Sequence, residues 1–146
     1  MASGKSNSYA QLVLEGIFQQ VFTAITSLLA NAGSPVTTLY VSLHTASPGA
    51  GGNQSTNEAA YTGYARVGVV RTSAGWSIAN ETVSNVSGII FPTATGGSEI
   101  ETFVGIGTAA SGAGNLLYFG ALTTELGVTS GITPAFAIGA LTVSEN

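Results

Sequence analysis

Residues 37–45 read Thr37-Thr38-Leu39-Tyr40-Val41-Ser42-Leu43-His44-Thr45, in which Leu39, Val41 and Leu43 alternate with Tyr40, Ser42 and His44. A period of two is the pattern of a strand that buries one face, so this segment predicts a strand with His44 on the polar side. It is followed by Ser47-Pro48-Gly49-Ala50-Gly51-Gly52-Asn53-Gln54, which is too rich in glycine for a helix or a strand and predicts a long surface loop. Further β-prone runs are Tyr64–Arg71, Trp76–Ala79, Thr82–Val86, Gly88–Phe91, Ile100–Thr108, Leu116–Leu122, Ile132–Ile138 and Leu141–Ser144. Turn residues such as Asn80-Glu81 and Thr95-Gly96-Gly97 separate them, and Pro92 and Pro134 must lie at strand ends or edges because each removes a ladder donor. The expected fold is mainly β: an antiparallel, jelly-roll-like sandwich of about eight strands.

On the N-terminal side the texture differs. From Leu14 to Leu29 the residues Leu14, Ile17, Phe18, Val21, Phe22, Ile25, Leu28 and Leu29 fall within roughly 140° of a helical wheel, with Glu15, Gln19, Gln20, Thr23, Thr26 and Ser27 opposite. This predicts one amphipathic helix over about Tyr9–Ala32, capped by Ser8 with Gln11 and stopped by Gly33-Ser34-Pro35. Gly16 weakens it by about 1 kcal/mol relative to Ala, so packing must hold it. No run approaches the ~20 apolar residues of a membrane span. Lys5 before the run and Ala30-Asn31-Ala32 after it resemble a secretory signal, but the two-sided helix argues against that reading. The expected organisation is a lead-in and helix over 1–34 and a β-sandwich over 35–146, together one domain.

Charge is the scarcest resource in the 146 residues: 3 Lys+Arg, 7 acidic residues that are all Glu, and one histidine. An ordinary domain is about a quarter charged. With hydrophobic residues at 45% and a mean hydropathy of +0.39, such an exterior is expected to be covered by other protein. Lys5, Arg66 and Arg71 cannot neutralise a nucleic-acid backbone, so direct DNA contact is not expected. The absence of cysteine excludes disulfides and thiolate metal sites and suits a reducing cytoplasm.

Catalytic schemes are correspondingly few. Any acyl-transfer triad must use His44, with Ser42, Thr45 or the distant Glu58 as partners, and a half-exposed strand histidine making an ordinary hydrogen bond is the simpler expectation. Glu99 and Glu101 share a face on a strand, too close together for glycosidase chemistry, and are expected to keep a sheet edge soluble. Calcium would need more carboxylates than lie nearby. The run Gly105-Ile106-Gly107-Thr108-Ala109-Ala110, with Glu125 twenty residues past Gly105, imitates a dinucleotide fingerprint. That site needs a helix N-terminus, which Ser111-Gly112-Ala113-Gly114 would end at once, so a glycine-bearing strand and loop is expected. The sequons at Asn53, Asn80 and Asn85 are accounted for by turns, and Trp76, Tyr61 and Tyr64 by the core rather than by a sugar platform. No catalytic, cofactor or metal site is expected, and no enzyme.

Leu39-Tyr40-Val41-Ser42-Leu43-His44-Thr45, Gly51-Gly52-Asn53-Gln54-Ser55-Thr56-Asn57-Glu58 and Tyr61-Thr62-Gly63-Tyr64-Ala65-Arg66 together resemble a family of small virion proteins of tailed bacteriophages and prophages. The likeness continues in Phe91-Pro92, Phe103–Thr108, Leu117–Leu122 and Ile132–Phe136. Some proteins that look like this are labelled tail fibre proteins; others are jelly-roll cement proteins that decorate icosahedral heads, such as that of a Bordetella phage.

The resemblance implies a structural virion protein, made in the bacterial host cytoplasm and placed on the outer capsid surface. Its partners would be the major capsid protein and a second copy of itself, as a dimer, without nucleic acid or membrane. A small, weakly charged β domain suits burial against a shell, whereas the repeats and trimeric shafts common in fibres are not visible. The helix and the loop after Ser47 are the expected contacts, with Leu12, Val13, Gln19, Gln20, Pro48, Gly51, Asn53, Gln54 and Asn57 as candidate residues. Leu12 and Val13 lie off the main apolar arc, which a second partner would explain.

Overall fold

The structure is a computed structural model and describes residues 7–20 and 36–145. The signal-like segment and the helix expected beyond Gln20, with its Gly33-Ser34-Pro35 stop, lie outside the described residues. The chain is mainly β, as expected. Its strands are β1 (Thr38–His44), β2 (Val67–Val70), β3 (Trp76–Ala79), β4 (Thr82–Asn85), β5 (Ile89–Ile90), β6 (Ser98–Gly107), β7 (Leu116–Thr129), β8 (Ala135–Phe136) and β9 (Thr142–Ser144). They form three sheets ordered β2-β1-β6-β7, β3-β4-β9 and β5-β8. Pro92 and Pro134 flank strands, as expected: Pro92 follows β5 and Pro134 precedes β8. Each sequence-predicted run overlaps a strand, but β7 runs on to Thr129, well past the expected end at Leu122, and the run from Tyr64 yields a strand only at Val67. Gly63 at φ +97° and a turn from Tyr64 N–H to Tyr61 C=O hold the chain out of the sheet before that point.

Two compact units emerge. One gathers the described residues up to Thr37, Val70–Gly88 and the residues from Phe136 on. In it α1 (Asn7–Leu14) continues as a π-helical turn (Glu15–Gln19), and Ala10, Leu14 and Phe18 are buried at intervals of four. Phe18 meets Trp76 edge-on at 4.7 Å. The helix differs from expectation in two ways. It begins at Asn7, so Ser8 lies inside it, and Gln11 donates onward to Glu15 at 2.8 Å rather than back to a cap. It ends at Gln20, whose φ of +59° is left-handed and whose N–H closes on Glu15 C=O. The wide turn releases carbonyls that the Arg71 guanidinium collects: those of Gly16, at 2.7 Å, and Ile17, together with Val36. Asn85 similarly ties the C-terminal residues to β4. Its Nδ2 donates to Ser87 and Ala137 carbonyls, both at 2.8 Å, and its Oδ1 accepts from Leu141 N–H at 2.9 Å.

The other unit, Thr38–Val69 and Ile89–Ala135, holds the larger sheet. β6 runs antiparallel to both neighbours, pairing Ser42 with Gly105 and His44 with Phe103 on one side, and Gly105 with Phe119 on the other. Leu39, Val41, Leu43, Val104 and Ile106 form its buried face. β1 departs from the alternation that revealed it, because Ser42 and His44 are buried as well, each 0% exposed. The loop after Ser47 folds over the polar face and covers it.

Candidate functional site

The chemistry-bearing residues of the larger sheet converge where that loop lies over β1 and β6. Neighbouring segments bring it there: Thr45 N–H bonds to Asn57 C=O and Ala59 N–H to Leu43 C=O, both at 2.9 Å, so residues 57–59 run back along the end of β1. His44 Nδ1 lies 2.9 Å from the Thr56 carbonyl, and His44 Nε2 lies 2.8 Å from Ser42 Oγ. A carbonyl only accepts, so Nδ1 carries the proton and the Ser42 hydroxyl donates to Nε2. Burial lowers the His44 pKa and keeps the ring neutral. His44 is therefore an interior strut rather than the half-exposed side chain expected. Although Ser42 and His44 stand as a nucleophile and base would, the far ring nitrogen faces a carbonyl instead of a carboxylate, and neither side chain meets solvent.

Glu58 is occupied elsewhere. Arg66 grips it with two bonds, Nε to Oε1 at 2.6 Å and Nη2 to Oε2 at 2.7 Å. The same guanidinium donates to the carbonyls of Ala109 at 2.8 Å and Gly112 at 2.7 Å, and so fixes the β6–β7 connection. Tyr64 extends the chain of bonds, its hydroxyl donating to Glu58 at 3.0 Å while accepting from Leu43 N–H at 3.1 Å. Burial, reinforced by the Glu58 charge, pushes the Tyr64 phenol well above its ordinary value.

Gln54 pins the same connection from the loop side. Its Oε1 accepts from Ala109 N–H at 2.9 Å, and its backbone N–H bonds to Ala113 C=O at 2.8 Å. The fingerprint-like glycines have their explanation here. A Cβ on Gly107 would stand 2.2 Å from Gln54 Cδ, and one on Gly105 would stand 2.6 Å from His44 Nε2 and 2.7 Å from Ser42 Oγ. Both sit within β6, as the strand-and-loop expectation has it.

Glu99 and Glu101 depart from the sheet-edge expectation, since β6 is an inner strand. Glu99 Oε1 accepts from the N–H groups of Ala60, at 2.9 Å, and Tyr61, at 2.7 Å, clasping the segment after Glu58. Glu101 is 0% exposed, and neither of its oxygens has a hydrogen-bond partner among the described residues. Burial, with the Glu99 carboxyl beside it, pushes the Glu101 pKa up to about 8, so the group is mostly protonated at neutral pH. Tyr61 closes the cluster by donating to Pro92 C=O at 2.9 Å, and Tyr64 stacks on Phe91 at 6.3 Å. These tyrosines and Trp76 serve the interior.

Among the described residues no group of three or more His, Cys, Asp or Glu side chains is placed to hold a metal ion, and no helix is long and apolar enough to cross a membrane. The candidate contact residues divide. Gln54 and Pro48 are buried, and Gln54 spends its side-chain oxygen on the clasp. Gln19 and Gln20 spend their amides on the Trp76 and Val36 carbonyls, both at 2.9 Å, and are half-buried like Leu12 and Val13. Asn53 turns its Oδ1 onto Ser55 N–H at 2.9 Å, whereas Gly51 and Asn57 are exposed. Sequence reading gave Arg66 and Glu101 no part in a buried cluster. Opposite charges at Glu58 and Arg66, eight positions apart across the Gly63 turn, were the available signal in a chain with so few.

No curated protein matches this chain. A family model described as Podophage GP4 fiber I protein gp80 matches residues 6–144. With nearly its whole length matched, the chain belongs to that family of phage structural proteins.

Proposed function

We propose that this phage structural protein is a capsid cement protein that binds the outer surface of an icosahedral head across the joints between major capsid proteins. One observation carries the reading. Of the described charged side chains Glu125 alone is exposed, while nine large apolar ones are: Val36, Val70, Val86, Ile90, Ile100, Leu117, Phe119, Ile132 and Ile138. Arg66, Glu58, Glu99 and Arg71 are used inside the fold, leaving an exterior suited to contact with other protein. A ligand that binds the assembled shell and not its free subunits shifts the balance away from disassembly. Two paired copies would engage adjacent capsomers and gain effective concentration without further contacts. Gly51 and Asn57 on the loop, and Leu12 and Val13 on the helix, remain the proposed points of contact.

The family description, which names a fibre, favours a second reading: a tail fibre or receptor-binding tail component. Deleting the gene separates the two. For a cement protein, heads assemble but rupture at lower temperature, and added protein restores them. Heads of unchanged robustness, with adsorption lost, would establish the tail reading instead.

A further inference from the structure

We infer that Glu99 and Glu101 are joined by one shared proton, and that this proton latches the 59–61 segment onto β6. The two residues flank Ile100 in the strand, so both side chains stand on one face of the sheet. Glu101 is fixed in place: it lies in an inner strand opposite Leu126, is fully buried, and no donor among the described residues reaches either of its oxygens. What does meet it is the carboxyl of Glu99. Two carboxylates in such a place repel each other and both lose water, whereas a protonated carboxyl donates to its neighbour in a charge-assisted bond. Glu99 is the accepting end, because its Oε1 already takes the N–H groups of Ala60 and Tyr61. The proton on Glu101 therefore holds Glu99, and Glu99 holds the segment.

Neighbouring groups offer Glu101 no counter-charge. In the segment itself, Glu58 is gripped by Arg66, and the Tyr61 phenol, pushed up to about 12 by burial and by Glu101 and Glu99, keeps its proton. On β7, Glu125 is exposed and adjoins Leu126, so it projects from the other face. On β1, His44 is paired with Phe103 and is held neutral by burial. Burial and Glu99 together push the Glu101 carboxyl up to about 8. Once its proton passes to solvent, the pair carries two charges where it carried one. Glu101 is held by the inner strand, but Glu99 is only half-buried and turns out to water. Ala60 and Tyr61 then lose their acceptor, while Ala59 N–H, bonded to Leu43 C=O at 2.9 Å, keeps its own. The latch is closed at acid and neutral pH and opens in alkali, and it stands whichever place in the particle the chain occupies.

Carbon-13 NMR of the glutamate carboxyls and amide hydrogen exchange test this on the whole protein, from about pH 5 to about pH 10. The Glu101 carboxyl is expected to keep its proton through neutral pH and lose it in alkali. As it does so, protection of the Ala60 and Tyr61 amides, corrected for intrinsic exchange, should fall at least about tenfold while that of Ala59 holds. Glu101→Gln puts a permanent N–H donor in place of the proton and should abolish the fall. Glu99→Gln leaves an oxygen for the two amides and offers an N–H to Glu101, so the Glu101 titration should move down by about one pH unit or more. A Glu101 carboxyl already deprotonated at neutral pH, equal loss of protection at Ala59, or an unchanged fall in the Glu101→Gln variant would overturn the inference. So would loss of Ala60 and Tyr61 protection when EDTA is added at neutral pH, since a metal ion rather than a proton would then join the carboxyls.

Discussion

Glu101 is the residue whose state most directly links burial to a measurable property. Its carboxyl, raised from an ordinary 4.5 to about 8 by burial and by Glu99, holds its proton in the fold and releases it in the unfolded chain. The stability it contributes is therefore fully present below about pH 4.5 and is lost as pH rises through 8. Chemical denaturation across this range should show stability falling by at most about 1.4 kcal/mol per pH unit from this group. Glu101→Gln should flatten that slope and stabilise the protein at pH 9. Arg66 presents the opposite case, because its removal strands a carboxylate and two carbonyls. Arg66→Ala should cost roughly 3–5 kcal/mol, and pairing it with Glu58→Gln should cost less than the two single changes summed. Gly105→Ala drives a methyl to within 2.6 Å of His44 Nε2; it should destabilise by about 1–3 kcal/mol and shift the His44 ring resonances in NMR spectra.

At the scale of elements, the N-terminal helix is held by what it buries. Phe18→Ala removes the ring packed on Trp76 and should cost about 3–5 kcal/mol, with quenching or a red shift of the Trp76 fluorescence as an independent sign of opening. Period-two alternation and turn residues made the strands legible: Trp76–Ala79 has the predicted bounds, and the Asn80-Glu81 turn follows it with Asn80 at φ +55°. What alternation cannot register is a loop arriving from elsewhere. His44 and Glu101 are polar by type, and alternation alone faces them to solvent; one is covered by the loop that brings Thr56 onto its ring, and the other sits in an inner strand. The helix is misjudged at Gln20 for a similar reason. Its apolar period continues to Leu29, while the chain turns left-handed where Gln20 bonds to Val36. Composition makes the scarcity of ionisable side chains plain, whereas the Glu58–Arg66–Gln54 clasp needs three-dimensional neighbours to be seen.

For the whole molecule, the balance of one exposed charge against nine exposed large apolar side chains among the described residues has a consequence for assembly. Contacts made by such a surface are driven by apolar burial rather than ion pairing. Attachment to the particle should therefore change less than about threefold between 50 and 500 mM salt, as read by the fraction that sediments with particles. Family membership makes the chain a phage structural protein, and its place in the particle is the central claim. Cross-linking of intact virions followed by mass spectrometry tests that claim most directly. The cement account predicts links from this chain to the major capsid protein, with the Gly51–Asn57 loop among the linked segments; links confined to tail proteins would contradict it.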